Sequence, residues 1–183
     1  MFIKVTQAAG RRYAQLVESY RNEEGKPRQR TICTLGRLDT GAEVDLLIAA
    51  LQKAKEAGTF LIYEPLNRYE TNLINTLGGG RDFIESHGLT NVKLLADLFH
   101  MNIEEGSLDQ VIREYGNYIG HIHFADSNRK PIGMGHTDMP PIVKAILDIN
   151  YSGFVSAEAF PSPNPEAAAE VTIQAFSKYF RNQ

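Results

Sequence analysis

Four times in the last two thirds of this sequence, a short apolar run stops on a residue able to ligate a cation. Phe60–Tyr63 closes on Glu64, and Pro65 then blocks further pairing. Asn91–Ala96 closes on Asp97, the run YIGHIHF carries His123, and GFVSAEAF carries Glu158. Runs of this length, bounded by glycine, proline or polar turns, read as strands buried on both faces, the pattern of a parallel sheet. A carboxylate placed at the end of such a strand is costly to desolvate unless a cation meets it.

Between these runs lie amphipathic stretches with helical spacing. The spacing predicts strand 59–64, helix 71–87, strand 92–97, helix 107–115, strand 118–124, helix 138–149, strand 153–158 and helix 165–180. The last helix has a clear start, with Asn164 as cap, Pro165 in the first turn and Glu166 beside it. Alternating strands and helices give an α/β fold of parallel strands with right-handed crossovers. In such folds the C-terminal strand ends share one rim, and ligands bind there.

The four consecutive strands therefore bring Glu64, Asp97, His123 and Glu158 to one rim. Parity agrees: Ser156 and Phe154 share the face of Glu158, and His121 and Ile119 share that of His123. Three close carboxylates repel one another unless protonated or bound to metal. An oxygen-rich set with one imidazole favours Mn²⁺ or Mg²⁺, with Co²⁺ or Zn²⁺ also compatible.

The first forty residues have a different character. They hold eight Lys or Arg against four acids, a local charge of +4 in a chain whose net charge is −3. Phe2–Val5, Tyr13–Tyr20 and Arg28–Leu35 read as three strands of a small antiparallel meander, linked by turns at Ala9-Gly10-Arg11 and Asn22–Pro27. Thr40 to Glu43 forms a capping box, and Val44, Leu47, Ile48, Leu51 and Ala54 give a helix closed by Gly58. Three segments result: a basic β meander over 1–40, a linking helix over 41–58, and an α/β domain over 59–183. With Cys33 the sole cysteine, no internal disulfide can form. No signal-peptide pattern or membrane-length apolar run is seen, so a cytoplasmic setting is expected.

Two resemblances add to this reading. MFIKVTQ, RRYAQLVESYRNEEGKPRQRTICTLGRLD and the following GAEVDLLIAAL resemble the start of insertion-sequence transposases of the DDE class, without that family's catalytic acids. The basic segment could inherit weak phosphate affinity through Arg11, Arg12, Arg28 and Arg30, but a solvated basic surface without a nucleic-acid role is the preferred expectation.

EPLNRYE, LLADLFHMNIEE, GHIHFADSNRKPIGMGHTD and SAEAF resemble the second half of sugar-phosphate isomerase/epimerase barrels, the xylose-isomerase-like TIM-barrel group. Ketose 3-epimerases are among the nearest by motif. That resemblance covers roughly residues 53–180. It implies a half TIM barrel with Glu64, Asp97, His123 and Glu158 as metal ligands. It also implies Glu64 and Glu158 as an acid/base pair, and Glu70, His100 and Arg129 holding substrate hydroxyls or carbonyl. The substrate implied is a sugar or sugar phosphate, handled by proton abstraction beside a carbonyl through an enediolate.

Such barrels have eight strands, and four are found here. Two chains could complete a barrel as a homodimer, the meander could cover the gap, or the chain could be an inactive remnant of a fusion. A metal-dependent abasic-site endonuclease is a further reading, because Asp97-x-x-His100 suits both chemistries, although EPLNRYE argues against it.

Other residues read as structural. His121 lies one layer below His123 and reads as packed or supporting. His136 and Asp138 open a helix, and His87 lies near a helix end before Gly88. Gly78-Gly79-Gly80 lacks the Lys-Ser/Thr of a phosphate loop and reads as a weak spot in the helix predicted over 71–87. Phe99 and Met101 read as walls or packing.

Overall fold

The computed structural model describes residues 2–8, 10–37 and 53–181. The chain divides into two compact units, Met1–Leu61 and Ile62–Gln183.

In the first unit, β1 (Phe2–Ala8), β2 (Arg11–Arg21) and β3 (Pro27–Arg37) form an antiparallel sheet in that order. All three strands are longer than the propensity of their residues suggests, because pairing extends to Ala8↔Arg11 at one turn and Arg21↔Pro27 at the other. Gly10 and Gly25 supply the positive φ that these turns need, at +73° and +74°. The Asn22 carboxamide oxygen accepts the Lys26 N–H at 2.8 Å and tightens the second turn. Arg11, Arg28 and Arg30 are exposed, and the Arg30 guanidinium lies over the Tyr20 ring.

Most of the helix expected over 41–58, with its capping box, lies outside the described residues. Its described end is a single turn at 53–56. Gly58 follows at φ +64°, and the Thr59 N–H returns to the Ala54 carbonyl.

The second unit is the α/β arrangement expected from the strand and helix periodicities. Its strands are β4 (Leu61–Tyr63), β5 (Val92–Asp97), β6 (Ile119–His123) and β7 (Phe154–Ser156). They form one sheet in sequence order, with β5, β6 and β7 paired in parallel. The helices are α1 (Leu77–Ser86), α2 (Leu98–Glu104), α3 (Leu108–Tyr115), α4 (Met139–Asp148) and α5 (Pro165–Phe176). A π-helical turn, Ser177–Arg181, follows α5. Among the described residues the sheet does not close into a barrel; β4 and β7 are its edges.

Three local expectations are corrected. The helix predicted over 71–87 begins later, at Leu77, because the Thr76 hydroxyl caps it by accepting the Gly79 N–H at 3.1 Å. Gly78-Gly79-Gly80 is thus the first turn of α1 rather than a weak spot within it. Gly80 is needed for packing: a Cβ there would come within 2.7 Å of a Leu94 methyl. The second correction is α2, a helix the periodicity did not separate from the end of β5. The third is that β7 stops at Ser156, two residues before Glu158.

Leu94 and Ile122, on the helix-facing side of the sheet, are fully buried with Leu98, Ile112, Met139 and Val143 from the helices. Burying each such side chain contributes about 1.5–3 kcal/mol. On the other face Leu95 of β5 is buried, whereas Phe154 on β7 is 81% exposed. That face ends at the rim where the strand-terminal donors meet.

Candidate metal centre and substrate site

Each strand of the α/β unit delivers one donor to the rim at or just past its C-terminal end. Glu64 follows β4, Asp97 ends β5, His123 ends β6, and Glu158 lies two residues beyond β7. One ligand atom from each of the four lies within 4.8 Å of the other three. His123 Nδ1 is the hub, at 2.9 Å from Asp97 Oδ2, 3.2 Å from Glu158 Oε2 and 3.6 Å from Glu64 Oε1.

The local folding explains the placement of the two middle donors. Asp97 is both the last strand residue and the cap of α2: its Oδ1 accepts the N–H groups of Phe99 at 2.8 Å and His100 at 3.2 Å. Its second oxygen is thereby aimed at His123. Burial alone would lower the His123 pKa. The hydrogen bond to Asp97 and the negative charge of Asp97 and Glu64 outweigh it and push the value up to about 9. Without a metal, a proton on Nδ1 occupies the centre of the carboxylate cluster.

The donor set fits a divalent cation on two observations. Three carboxylates and one imidazole, with space left for further ligands, are the oxygen-rich donors preferred by hard or borderline ions. Glu64 Oε1 is buried and lacks a hydrogen-bond partner among the described residues, and so does His100 Nε2, 3.8 Å away. Buried polar atoms are ordinarily satisfied, and both of these face the site.

Glu70, His100 and Arg129 stand beside the cluster. Arg129 Nη1 donates to Glu70 Oε1 at 3.3 Å and Nη2 to Glu158 Oε1 at 3.2 Å. Its guanidinium lies 5.2 Å from the centre of the Phe99 ring and 5.9 Å from that of Phe160. Phe99 is thus a wall of this site, whereas Met101 is buried packing. His100, only 1% exposed, sits between Glu64 and Glu70, with each ring nitrogen 3.8 Å from one carboxylate.

His121 stays off the cluster. Its Nε2 pairs with the Ser156 hydroxyl at 2.7 Å, and its ring meets that of His123 edge-on. Burial, and then the charge of His123, push its pKa down. His136 pairs with the Ser127 hydroxyl, Asp138 occupies the N-cap position of α4, and His87 bonds the Phe83 carbonyl at the end of α1.

Two residues of this site escape sequence reasoning. The first is Asn67, 2% exposed, inside the EPLNRYE run. Its backbone and side-chain N–H groups meet His100 Nδ1 at 3.2 and 2.8 Å, and its Nδ2 also donates to Glu70 Oε1 at 3.0 Å. The second is Asp126, 1% exposed, which organises the loop carrying Arg129. Its carboxylate accepts the N–H groups of Ser127 at 2.7 Å, Gly133 at 2.8 Å and Thr137 at 3.1 Å. Burial would raise its pKa, but these bonds prevail and hold it down at about 2. Within the loop, the Arg129 N–H returns to the Asp126 carbonyl at 2.8 Å, and Arg129 adopts φ +58°. A buried asparagine among charged neighbours would have been the only sequence signal for the first. A carboxylate followed by Ser and Asn was the only one for the second.

Comparison with known proteins agrees with this geometry. The family described as xylose isomerase-like TIM barrel matches residues 3–179. A D-psicose 3-epimerase from Ruminiclostridium cellulolyticum is 44% identical over 107 residues, 58% of this chain and 36% of that protein. An L-ribulose 3-epimerase from Mesorhizobium japonicum is 40% identical over 116 residues, 63% of this chain and 39% of that protein. Among solved structures, the apo 3-keto-D-glucoside 4-epimerase of E. coli superposes with a TM-score of 0.66 at 33% identity, covering 71% of this chain and 50% of that one. The chain spans less than half the length of these two curated relatives. With the parallel strand–helix order and the rim of converging donors, the match over nearly all its length makes this chain a member of the xylose isomerase-like TIM barrel family.

Proposed function

We propose that this chain is a metal-dependent sugar or sugar-phosphate isomerase/epimerase that moves a proton at a carbon next to a carbonyl. The observation that carries the proposal is the convergence of Glu64, Asp97, His123 and Glu158 at one end of the sheet, with Glu64 and Glu158 coming from its two opposite edges. Those four residues would hold the ion, Mn²⁺ or Mg²⁺ before Co²⁺ or Zn²⁺. The ion would supply positive charge close to the substrate's oxygens as they gain electron density.

The protein's own groups divide the remaining work. One glutamate removes the proton beside the carbonyl, leaving an enediolate. The other, from the far edge, returns a proton to the opposite face. Return to the same carbon gives epimerisation; return to the neighbouring one gives aldose–ketose isomerisation. Glu70, His100 and Arg129 hold hydroxyl or carbonyl oxygens and fix the sugar plane between the two carboxylates. The names of the relatives fit this chemistry, since C3 of a ketose and C4 of a 3-keto sugar both adjoin a carbonyl.

The parallel sheet offers a second copy two edges, β4 and β7, that pair with no further strand among the described residues. Beside β7 runs an open apolar groove of about 550 Å³ lined by Phe124, Val155, Ala168, Ile173 and Phe176. This supports a homodimer in which each copy walls the other's site. Residues 1–40 are read as a basic meander of separate, transposase-like origin, without a part in the chemistry. Their antiparallel pairing and local charge of +4 support the proposed division into segments 1–40, 41–58 and 59–183. Among the described residues no helix is long and apolar enough to cross a membrane.

The test is deuterium exchange in D₂O with Mn²⁺, followed by NMR on D-psicose, L-ribulose and a 3-keto-D-glucoside. Label should enter at the carbon beside the carbonyl, and Glu158→Gln should slow it by about 10²–10⁴-fold. Equal Mn²⁺ affinity and equal exchange in Glu158→Gln would refute the assignment.

A further inference from the structure

We propose that Asn67 is a positioning residue that fixes the tautomer of His100, making that histidine a hydrogen-bond donor to substrate and barring it from the metal. The inference rests on the isomerase/epimerase reading only for its consequence in turnover; the tautomer follows from hydrogen-bond geometry.

A backbone N–H can only donate, and the Asn67 N–H points at His100 Nδ1 at 3.2 Å. The Asn67 side chain is oriented independently. Its Oδ1 accepts the Tyr69 N–H at 2.9 Å, so the other terminal atom is the NH₂ group. That NH₂ donates to Glu70 Oε1 at 3.0 Å and meets His100 Nδ1 at 2.8 Å. Two donors therefore face one ring nitrogen, and only an unprotonated Nδ1 can receive them. A neutral imidazole with a bare Nδ1 carries its proton on Nε2.

His100 Nε2 is buried, lacks a partner among the described residues, and lies 3.8 Å from Glu64 Oε1. An imidazole so close to the carboxylate cluster could otherwise turn a lone pair towards a cation. With Nε2 protonated it has none to give there, because ligation needs a bare nitrogen. His100 is left as an N–H donor aimed into the site, suited to a carbonyl or hydroxyl oxygen. Asn67 thereby also separates this site from a metal centre with additional histidine ligands. It braces Glu70 with the same NH₂ group, so two substrate-facing side chains share one anchor.

The experiment is ¹⁵N–¹H correlation NMR of the imidazole rings in the full chain, with and without Mg²⁺. The chain has five histidines, so the His100 signals are identified by their loss in His100→Gln. The expected pattern is a bare Nδ1 and a protonated Nε2, unchanged by Mg²⁺. Asn67→Asp keeps the shape but puts an acceptor against Nδ1, so its His100 should move its proton to Nδ1. Its kcat/KM for the epimerisation should fall at least about tenfold, the value of one hydrogen bond to a charged or reacting group, and Asn67→Ser should recover part of it. A wild-type His100 protonated on Nδ1, or one whose Nε2 becomes bare on adding Mg²⁺, overturns the proposal. So does a folded Asn67→Asp variant that keeps the wild-type tautomer. If the wild-type chain turns over none of the sugars, the functional reading fails while the NMR result still decides the tautomer.

Discussion

Replacing Asp126 by Asn removes one buried negative charge from the loop that carries Arg129 while preserving the side chain's shape. In the native fold this carboxylate is 1% exposed and accepts three backbone N–H groups. Its pKa falls from the ordinary 3.8 to about 2. A carboxyl whose folded pKa lies below its unfolded one contributes stability above the unfolded value and loses it as pH falls through the folded one. Here the contribution is about 2 kcal/mol at pH 7, and roughly half of it is gone by pH 3. Urea denaturation of wild type and Asp126→Asn at pH 7 and pH 3, followed by circular dichroism, measures the difference. The gap should be about 2 kcal/mol at pH 7 and close to half that at pH 3. An equal gap at both pH values would refute the view that the ionised form is what the loop binds. Gly135→Ala should reproduce the defect without altering charge, because its Cβ would crowd the Asp126 carboxylate and come within 2.6 Å of the Ser127 hydroxyl.

Two further outcomes follow from the site. The raised His123 pKa, about 9, lies above the ordinary 6.5. Metal-free protein should therefore be fully stabilised by this group below pH 6.5 and lose that increment as pH rises through 9. Metal must displace the same proton, so apparent Mn²⁺ affinity should climb about tenfold per pH unit below 9; calorimetry across pH 6–8 checks this, and a flat profile contradicts it. Arg129→Lys should leave folding unchanged yet cut turnover at least about tenfold, because an ammonium cannot bridge Glu70 and Glu158 while stacking between two rings; unchanged kcat/KM would show that the fork is dispensable.

The order of strands and helices could be read from apolar periodicity because the strands of the second unit are short apolar runs that alternate with amphipathic helices. Its ends carried the donors in plain view. Boundaries were less legible where side chains from elsewhere set them. Helix α1 starts at Leu77 because Thr76 caps it and Glu105, far along the chain, accepts the Leu77 N–H at 2.9 Å. Helix α2 was hidden because Asp97 serves two elements at once, ending β5 and capping the helix with one oxygen. Asn67 and Asp126 were invisible for a related reason. Asp126 matters through the backbone N–H groups that meet its carboxylate, Asn67 through the acceptors on His100 and Glu70 that its N–H groups reach, and folding alone brings these together.

The width of the sheet bears on what a second copy could add. Adjacent strands lie about 4.8 Å apart, so in a flat sheet β4 and β7 would stand roughly 14 Å from each other. Their terminal glutamates nonetheless approach the same imidazole, at 3.6 and 3.2 Å. Four strands therefore suffice to bring these donors together. A partner closing the edges would supply walls for the sugar and no ligand for the ion. On the proposed assignment, metal content should be one ion per chain in both monomer and dimer, measured by elemental analysis on fractions separated with light scattering, while turnover should follow the dimer alone. One ion per two chains would mean that the four donors do not act as a set.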